Sequence, residues 1–545
     1  MISPIILYDI PGNAPECKAW SPNTWKVRLA LHYKGLPMKT QWVEYPDIEA
    51  LYRKLGLQAL ETKDNGDPYY CLPIIHDPST NTTISESFVI VQYLEKTYPN
   101  TPTLLPPGTL AFHAAFLSDW MVELQYPTFR IACSAVWKRL NTRSQRYYRT
   151  TREKDLGVKL EEVSSEEWWH AAERAWTKVD RWLQMNGNDG GLVMGSRTLI
   201  NVVPTITVPN DSSTNSRANL YTSILEAQVN LLRLVYAFSL PILTSYKLSV
   251  VVVTTLIHQA ALITQYRPGA ACWYLGIGPR TQQTDRTSYQ AAKHPPMSAP
   301  IVLYDITSRN ALQTKAWSPN TWKVRFALNY KGLPVKTEWI EYPDIEALYH
   351  KLGIEATEKR QDESPYYCLP LIHDPSTNTI MCDSFSIVRY LEKTYPNTPT
   401  LLPKGTLALH KTFSLAFNKV HGSTFDLVVY PVWRILNERS QVFFRTTRER
   451  IIGPLEDVCD DASWENAEKA WSELDSWLKL NGEGLDNMVM GDRVCYADLQ
   501  IASCLMWAKN SLDAESAEWK RICGWNGGKW KRYLDQFSKY EVIDN

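Results

Sequence analysis

The first part of the region after residue 300 alternates short apolar runs with longer stretches of helical periodicity. The apolar run at 301–304 predicts a strand. Ser318-Pro319 then predicts the start of a helix, because serine favours the N-cap and proline the first turn. Val324 and Leu328 share one face of this helix, which we expect to end near Gly332.

The residues that follow predict a second strand and helix, then a hairpin and a third helix. Strands are expected near 336–341, at 366–373 and in the run that ends at Cys382-Asp-Ser384. Helices are expected near 345–352 and after Ser384. Pro370 stands inside the strand at 366–373, so that strand should lie at an edge or beside a special turn. The predicted order is βαβ followed by ββα.

The pattern becomes helical after a proline-rich linker at 395–403. Trp464, Ala467, Trp471 and Leu474 recur at helical spacing, and the run stops at Asn481-Gly482. The pattern therefore predicts a small α/β domain followed by an all-α domain.

The chain contains this arrangement twice. Residues 4–195 match residues 300–491 along their length, and the stretch 18–28 returns letter for letter at 315–325. We call these regions copy 1 and copy 2. After Gly491 copy 2 continues into an amphipathic helix, whereas copy 1 after Gly195 continues into unrelated sequence. Copy 1 should therefore have a truncated helical domain with an open apolar face.

These boundaries predict five segments. They are an α/β domain at 1–106, a partial helical domain at 107–195, an irregular linker at 196–298, a second α/β domain at 299–403 and a complete helical domain at 404–545. Polar residues dilute the apolar stretch at 248–266, so we do not expect it to span a membrane. Met297 opens a stretch that parallels the start of the chain, which suggests that the linker is translated non-coding sequence between two adjacent genes.

Composition narrows the class of function. The 545 residues carry 58 basic and 58 acidic side chains, so no basic field is available to attract nucleic acid or anionic lipid. The ten cysteines form no C-x-x-C pair and no zinc spacing, so no metal is expected. The first residues lack the features of a signal peptide, and we expect a reducing, cytoplasmic setting.

Candidate chemistry begins with a hydroxyl at the start of a helix, Ser21 in copy 1 and Ser318 in copy 2. Backbone N–H groups and the helix dipole favour an anion at that position. Pro73 and Pro370 are the second feature, since a cis bond before either would expose backbone groups to an extended ligand. Only about 5% of X–Pro bonds are cis, so the spacing does not establish this isomer.

An acid–serine pair before a helix is the third feature, Glu86-Ser87 in copy 1 and Asp383-Ser384 in copy 2. Such a pair can bind a ligand carboxylate through the hydroxyl and N–H and an ammonium through the acid. Each feature has an ordinary structural alternative, a helix cap or an edge proline. Their occurrence together, in this order and within one small α/β unit, is much more specific.

With these three features, each copy resembles a cytosolic glutathione S-transferase, with a thioredoxin-like N-terminal domain and an all-α C-terminal domain. The repeated stretch at 18–28 is most similar to fungal serine-type members, the etherase-like group, and to transferases of fungal secondary-metabolite pathways. The resemblance implies glutathione as co-substrate, a small apolar electrophile as its partner, a role in detoxification and the possibility of a homodimer.

The resemblance also assigns roles to residues. Ser318 and Ser21 would donate a hydrogen bond to the glutathione sulfur. Tyr304 and Tyr8 are alternatives because other branches of the family use a tyrosine there, and Asn320 and Asn23 are weaker alternatives. The residues expected to bind the rest of glutathione are Leu369, Pro370, Asp383 and Ser384 in copy 2 and Leu72, Pro73, Glu86 and Ser87 in copy 1.

Two other functions remain open at this point. The chain could bind glutathione conjugates or apolar ligands without turnover, or it could use the transferase fold as a protein-interaction module. We expect conjugation, or cleavage of ether-type substrates, mainly in copy 2, because copy 1 breaks off before its last helices.

Overall fold

A computed structural model describes residues 3–15, 18–63, 66–120, 125–185, 299–360, 363–482 and 487–544, all within one compact unit. The expected linker at 196–298, its apolar stretch and the last ten residues of the partial helical domain lie outside this set. In the parts of the chain that the structure covers, no helix is both long enough and apolar enough to cross a membrane.

Copy 1 forms a four-stranded sheet with helices, a small hairpin and four further helices. Its strands are β1 (Ile5–Asp9), β2 (Met38–Trp42), β3 (Glu61–Thr62), β4 (Pro68–Tyr69), β5 (Ile74–Asp77) and β6 (Thr82–Ser85). Its helices are α1 (Pro22–Tyr33), α2 (Ile48–Leu55), α3 (Ser87–Thr97), α4 (Leu110–Trp120), α5 (Tyr126–Lys138), α6 (Thr142–Leu156) and α7 (Glu166–Met185).

Copy 2 repeats the α/β domain and extends the helical one. Its strands are β7 (Ile301–Ile306), β8 (Val335–Ile340), β9 (Glu358–Lys359), β10 (Pro365–Tyr366), β11 (Leu371–Asp374) and β12 (Thr379–Cys382). The helices of its α/β domain are α8 (Leu312–Lys315), α9 (Pro319–Tyr330), α10 (Ile345–Leu352) and α11 (Ser384–Thr394). The helical domain contains α12 (Leu407–Ile435), α13 (Glu438–Ile452), α14 (Asp461–Lys479), α15 (Tyr496–Leu512) and α16 (Ala517–Asp535), the last interrupted at Trp525–Gly528.

The two large sheets have the same topology. Their strand orders are β2-β1-β5-β6 and β8-β7-β11-β12, with a parallel pair at one side and antiparallel pairs at the other. The predicted order βαβ followed by ββα is confirmed in both copies, as is the thioredoxin-like α/β domain followed by helices. The duplicated fold therefore agrees with the expectation from the sequence.

The strand expected at 366–373 is wrong in its extent. Tyr366 belongs to the short strand β10, which pairs with β9, and Leu371 begins β11. Pro370 thus stands just before a strand rather than inside one, in keeping with the lack of an N–H on proline.

Part of the apolar face of the helical domain of copy 1, the side formed by α4, is covered by copy 2 rather than open. Helix α4 of copy 1 packs against α12 and α14 of copy 2, and α7 also contacts α12. Ala111, Phe112, Ala115 and Phe116 of α4 are buried in the same hydrophobic core as copy 2. Copy 2 thus covers the apolar side of α4 in copy 1.

Candidate functional site

The three features of copy 2 lie at one end of its sheet. In the strand register Tyr304 of β7 pairs with Leu371 of β11, which pairs with Cys382 of β12. Because β7 and β12 run antiparallel to β11, the ends of β7 and β12 meet the beginning of β11 at the same edge. The loop to Ser318, the Leu369-Pro370 bond and Asp383 all adjoin this edge, and the register in copy 1 places its features in the same way.

Ser318 and Ser21 occupy the N-cap positions of α9 and α1, as predicted. Their side chains do not cap these helices, and neither hydroxyl bonds to another residue in the described parts of the chain. Both serines are nearly buried, with 4% and 7% of their surface exposed. Each hydroxyl is therefore available to a ligand at the helix start, where the dipole favours negative charge.

A buried ion pair fixes the orientation of each serine-bearing helix. Arg325 on α9 donates through Nη2 to Asp305 Oδ2 of β7 at 2.8 Å, and both side chains are fully buried. Arg28 and Asp9 form the same pair in copy 1 at 2.9 Å. Charged groups are rarely buried unless paired, so these pairs anchor the helix beside the sheet edge.

The peptide bonds before Pro73 and Pro370 are both cis. Leu369 takes part in no backbone hydrogen bond with the described residues of the chain, so its N–H and C=O can pair with an extended ligand. In copy 1 the Pro73 carbonyl accepts a hydrogen bond from the Glu86 N–H at 3.3 Å, which joins the second feature to the third.

The acids of the third feature adopt an unusual backbone conformation. Asp383 and Glu86 have φ values of 71° and 75°, a region that non-glycine residues enter at a cost of about 1–3 kcal/mol. Each caps the following helix, since Asp383 Oδ1 accepts from Ser386 N at 2.8 Å and Glu86 Oε2 accepts from Val89 N at 2.9 Å. Strained backbone conformations of this kind cluster at ligand sites.

The serine of the acid–serine pair is held differently in the two copies. In copy 2 the Ser384 hydroxyl shares a hydrogen bond of 3.1 Å with the hydroxyl of Tyr496, which begins α15. In copy 1 the Ser87 hydroxyl instead donates to its neighbour Glu86 at 3.1 Å. The two copies therefore hold this hydroxyl in different ways, and in copy 2 a residue of the helical domain takes part.

The alternative tyrosines are buried to about the same extent as the serines. Tyr8 and Tyr304 are each 6% exposed, and burial raises the pKa of both. They lie on the strands that reach the same sheet edge, so both remain alternatives for contact with sulfur.

Reasoning from the sequence missed the lysine of the repeated stretch, Lys26 in copy 1 and Lys323 in copy 2. Lys323 Nζ donates to Asn320 Oδ1 at 2.9 Å, and Lys26 makes the same bond to Asn23 at 3.1 Å. Burial lowers the pKa of Lys323 to about 8 and also lowers the pKa of Lys26. The identical stretch in both copies was the available signal, because it carries this lysine five residues after the serine.

Family models match both copies of the chain. A model of the glutathione S-transferase C-terminal domain matches residues 111–201 and 408–540. Two models of the glutathione S-transferase N-terminal domain match residues 20–97 and 312–399.

Individual proteins match about one copy of the chain. The glutathione S-transferase-like protein ustS of Aspergillus flavus is 28% identical over 249 residues, which are 43% of this chain and 88% of that protein. The crystal structure of glutathione transferase GSTFuA3 from Phanerochaete chrysosporium is 45% identical and covers 45% of this chain and 99% of its own, with a TM-score of 0.44. A glutathione S-transferase of Ceriporiopsis subvermispora, CsGST63524, crystallised in complex with glutathione, is 42% identical over 45% of this chain and 100% of its own, with a TM-score of 0.43.

Proposed function

The chain belongs to the glutathione S-transferase family, and we propose that it transfers glutathione to small electrophiles, mainly through copy 2. One observation carries the proposal: a free serine hydroxyl, a cis Leu-Pro bond and a strained acid adjoin the same sheet edge. The hydroxyl fits the thiol of glutathione, the cis Leu-Pro bond fits its extended peptide backbone, and the acid fits its γ-glutamyl end.

Ser318 would act on the sulfur of glutathione. A free thiol has a pKa of about 8.5, and a hydrogen-bond donor at a helix N-terminus lowers it, which raises the thiolate fraction at neutral pH. The thiolate would attack an electrophilic carbon, form a C–S bond and displace a leaving group that departs with its electron pair. An ether oxygen is one leaving group that this chemistry can accept.

Leu369 would pair its backbone with the cysteinyl part of glutathione. Asp383 would hold the ammonium of the γ-glutamyl end, while the Ser384 hydroxyl and the N-terminus of α11 would hold its carboxylate. Leu72, Pro73, Glu86 and Ser87 would act in the same way in copy 1. A cytoplasmic setting, where thiols stay reduced, would supply the co-substrate.

Turnover of a chromogenic electrophile by the full-length chain, measured beside equilibrium binding of a glutathione conjugate, tests this proposal. We expect glutathione-dependent turnover. Binding of the conjugate without turnover of several electrophiles would replace the transferase by a ligand carrier. Absence of both would leave the protein-interaction module.

A further inference from the structure

The segment that leads to Ser318 is held by a residue of the helical domain. Asn510 of α15 donates through Nδ2 to the Ala316 carbonyl at 2.8 Å, and its own backbone carbonyl accepts from Asn310 Nδ2 at 3.3 Å. The Ala316 carbonyl also accepts from Trp322 Nε1 at 2.8 Å. Asn510 is only 5% exposed, so these bonds are made away from bulk water, where they are stronger. The backbone two residues before the serine is therefore fixed from α15.

The other end of the serine-bearing helix α9 is held by residues 540–544, which we call the tail. Asn329, in the last turn of α9, donates through Nδ2 to the backbone carbonyls of Tyr540 at 2.8 Å and Val542 at 2.7 Å. The ring of Tyr540 packs edge-on against Tyr330, with ring centroids 5.3 Å apart. The tail thus joins the helical domain to the end of the serine-bearing helix.

Between these two points the tail covers Arg325. Nη1 of Arg325 donates to the Ile543 carbonyl and also to Thr337 Oγ1, the latter at 2.9 Å. The Thr337 N–H donates to Asp544 Oδ1 at 2.7 Å. The Arg325 side chain is 0% exposed, compared with 11% for its counterpart Arg28 in copy 1. The tail therefore reinforces the ion pair that anchors α9 beside the sheet edge.

Copy 1 provides an internal comparison. Its sequence after Gly195 is unrelated to copy 2, so Asn510 and the tail have no counterpart in it. Helices α1 and α9 nevertheless have the same length of 12 residues. Their N-caps, Ser21 and Ser318, have nearly the same backbone angles, with φ of −66° and −63° and ψ of 124° and 125°. The helix therefore forms without these contacts, and in copy 2 they fix where it lies.

We propose that Asn510 and the tail position the Ser318 hydroxyl for the sulfur of glutathione. A hydrogen bond weakens steeply as its geometry departs from the optimum, and a donor that is already held in place needs no reorganisation when charge develops on sulfur. The inference rests on the proposed transferase function and deepens it. Asn510 and the tail are positioning elements that act through α9, while Ser318 remains the group that contacts the sulfur.

Two changes to the full-length chain test this inference, Asn510→Leu and removal of residues 541–545. Both are made in a Ser21→Ala background, so that turnover of a chromogenic electrophile reports mainly on copy 2. Each change should lower kcat by about 3- to 10-fold and leave KM for glutathione within about twofold. The acid limb of the pH–rate profile should move to higher pH, because a displaced hydroxyl stabilises the thiolate less.

Gln500→Leu is the matched control in the same background. Gln500 is another buried amide of α15, with 4% of its surface exposed, but it donates to Ser414 Oγ of α12 at 2.9 Å. Its loss should lower the melting temperature about as much as Asn510→Leu without moving the pH–rate profile. If Asn510→Leu and the truncation only lower the melting temperature, as the control does, they merely stabilise the fold and the inference is overturned.

A second measurement separates this inference from the transferase proposal. The ultraviolet absorbance of the thiolate of bound glutathione, followed against pH, reports the pKa of the bound thiol without any turnover. A higher thiol pKa in Asn510→Leu than in Gln500→Leu would keep the positioning role even if no electrophile is turned over. Identical titrations would overturn the positioning role, and absence of glutathione binding by the unaltered chain would overturn both proposals.

Discussion

Phe112 of copy 1 packs edge-on against Phe413 of copy 2, with ring centroids 5.7 Å apart and ring planes 82° apart. Phe112 also meets the ring of His410 at 4.7 Å, and both aromatic residues are completely buried. Phe112 of copy 1 therefore lies in the same hydrophobic core as Phe413 and His410 of copy 2. Copy 1 contributes to the stability of copy 2 through this contact.

Replacing Phe112 with alanine should destabilise copy 2 by about 3–5 kcal/mol, because the change leaves a cavity in a packed core. Thermal unfolding of the full-length chain, followed together with the loss of transferase activity, measures the effect. Val442→Ala is the control, since Val442 is 69% exposed and should change stability by less than about 0.5 kcal/mol. If the variant unfolds at a lower temperature but keeps its transferase activity up to the same temperature as the wild type, copy 2 does not depend on copy 1.

Replacing Gly108 with alanine tests the same interface through the backbone. Gly108 has φ of +76°, and an added Cβ would lie 2.5 Å from the carbonyl oxygen of Met490 in copy 2. Gly35→Ala is a matched control, since Gly35 has φ of +66° with no atom within 4 Å of the added Cβ. The control should cost about 1–2 kcal/mol from backbone strain alone, and Gly108→Ala should cost more. Equal shifts of the melting temperature would argue against a tight contact between the copies.

The sequence was sufficient for the parts of the fold that depend on local pattern. The start of α9 at Ser318, the order of strands and helices, and the three features at the sheet edge all follow from turn residues and periodicity. The prediction placed Pro370 inside a strand because an apolar run in the sequence does not show where the pairing between strands begins. The cis bonds and the positive φ of Asp383 depend on surroundings that the spacing does not encode.

Contacts between distant parts of the chain could not be predicted from the pattern. Nothing in the apolar face of α4 distinguishes a partner in its own copy from one in the other copy. Similarly, the hydrogen bond between the hydroxyls of Ser384 and Tyr496 joins residues that are far apart in the sequence.

Ser318→Ala should lower kcat with the chromogenic electrophile by about 10- to 100-fold, because the thiolate loses a hydrogen-bond donor. The acid limb of the pH–rate profile should move to higher pH, since the bound thiol then ionises less readily. Tyr304→Phe decides between the two candidate donors. If Tyr304→Phe shifts the profile and Ser318→Ala does not, the tyrosine is the group that contacts sulfur.

The stability of the contact between the copies should depend on pH through His410. Burial lowers the pKa of His410 to about 3, far below the value of about 6.5 expected after unfolding. The unfolded chain therefore binds the proton first, and stability present above about pH 6.5 is lost as the pH falls towards the folded pKa. His410→Met should reduce the fall in melting temperature between neutral and mildly acidic pH. His350→Met, at an exposed histidine, is the control, and identical slopes for wild type and His410→Met would contradict this origin.

Tyr496→Phe removes the hydroxyl that holds Ser384 and should weaken glutathione binding in copy 2. A neutral hydrogen bond contributes about 0.5–1.5 kcal/mol, so KM for glutathione should rise about 2- to 10-fold while kcat changes little. The ring of Tyr496 stays packed against Phe385 at 5.3 Å, so the phenylalanine variant preserves the core. Tyr390→Phe removes a tyrosine hydroxyl that bonds to Asp374 of the sheet and serves as a control for general loosening of the domain. A KM for glutathione that rises equally in both variants, or in neither, would show that Tyr496 does not position Ser384 for the ligand.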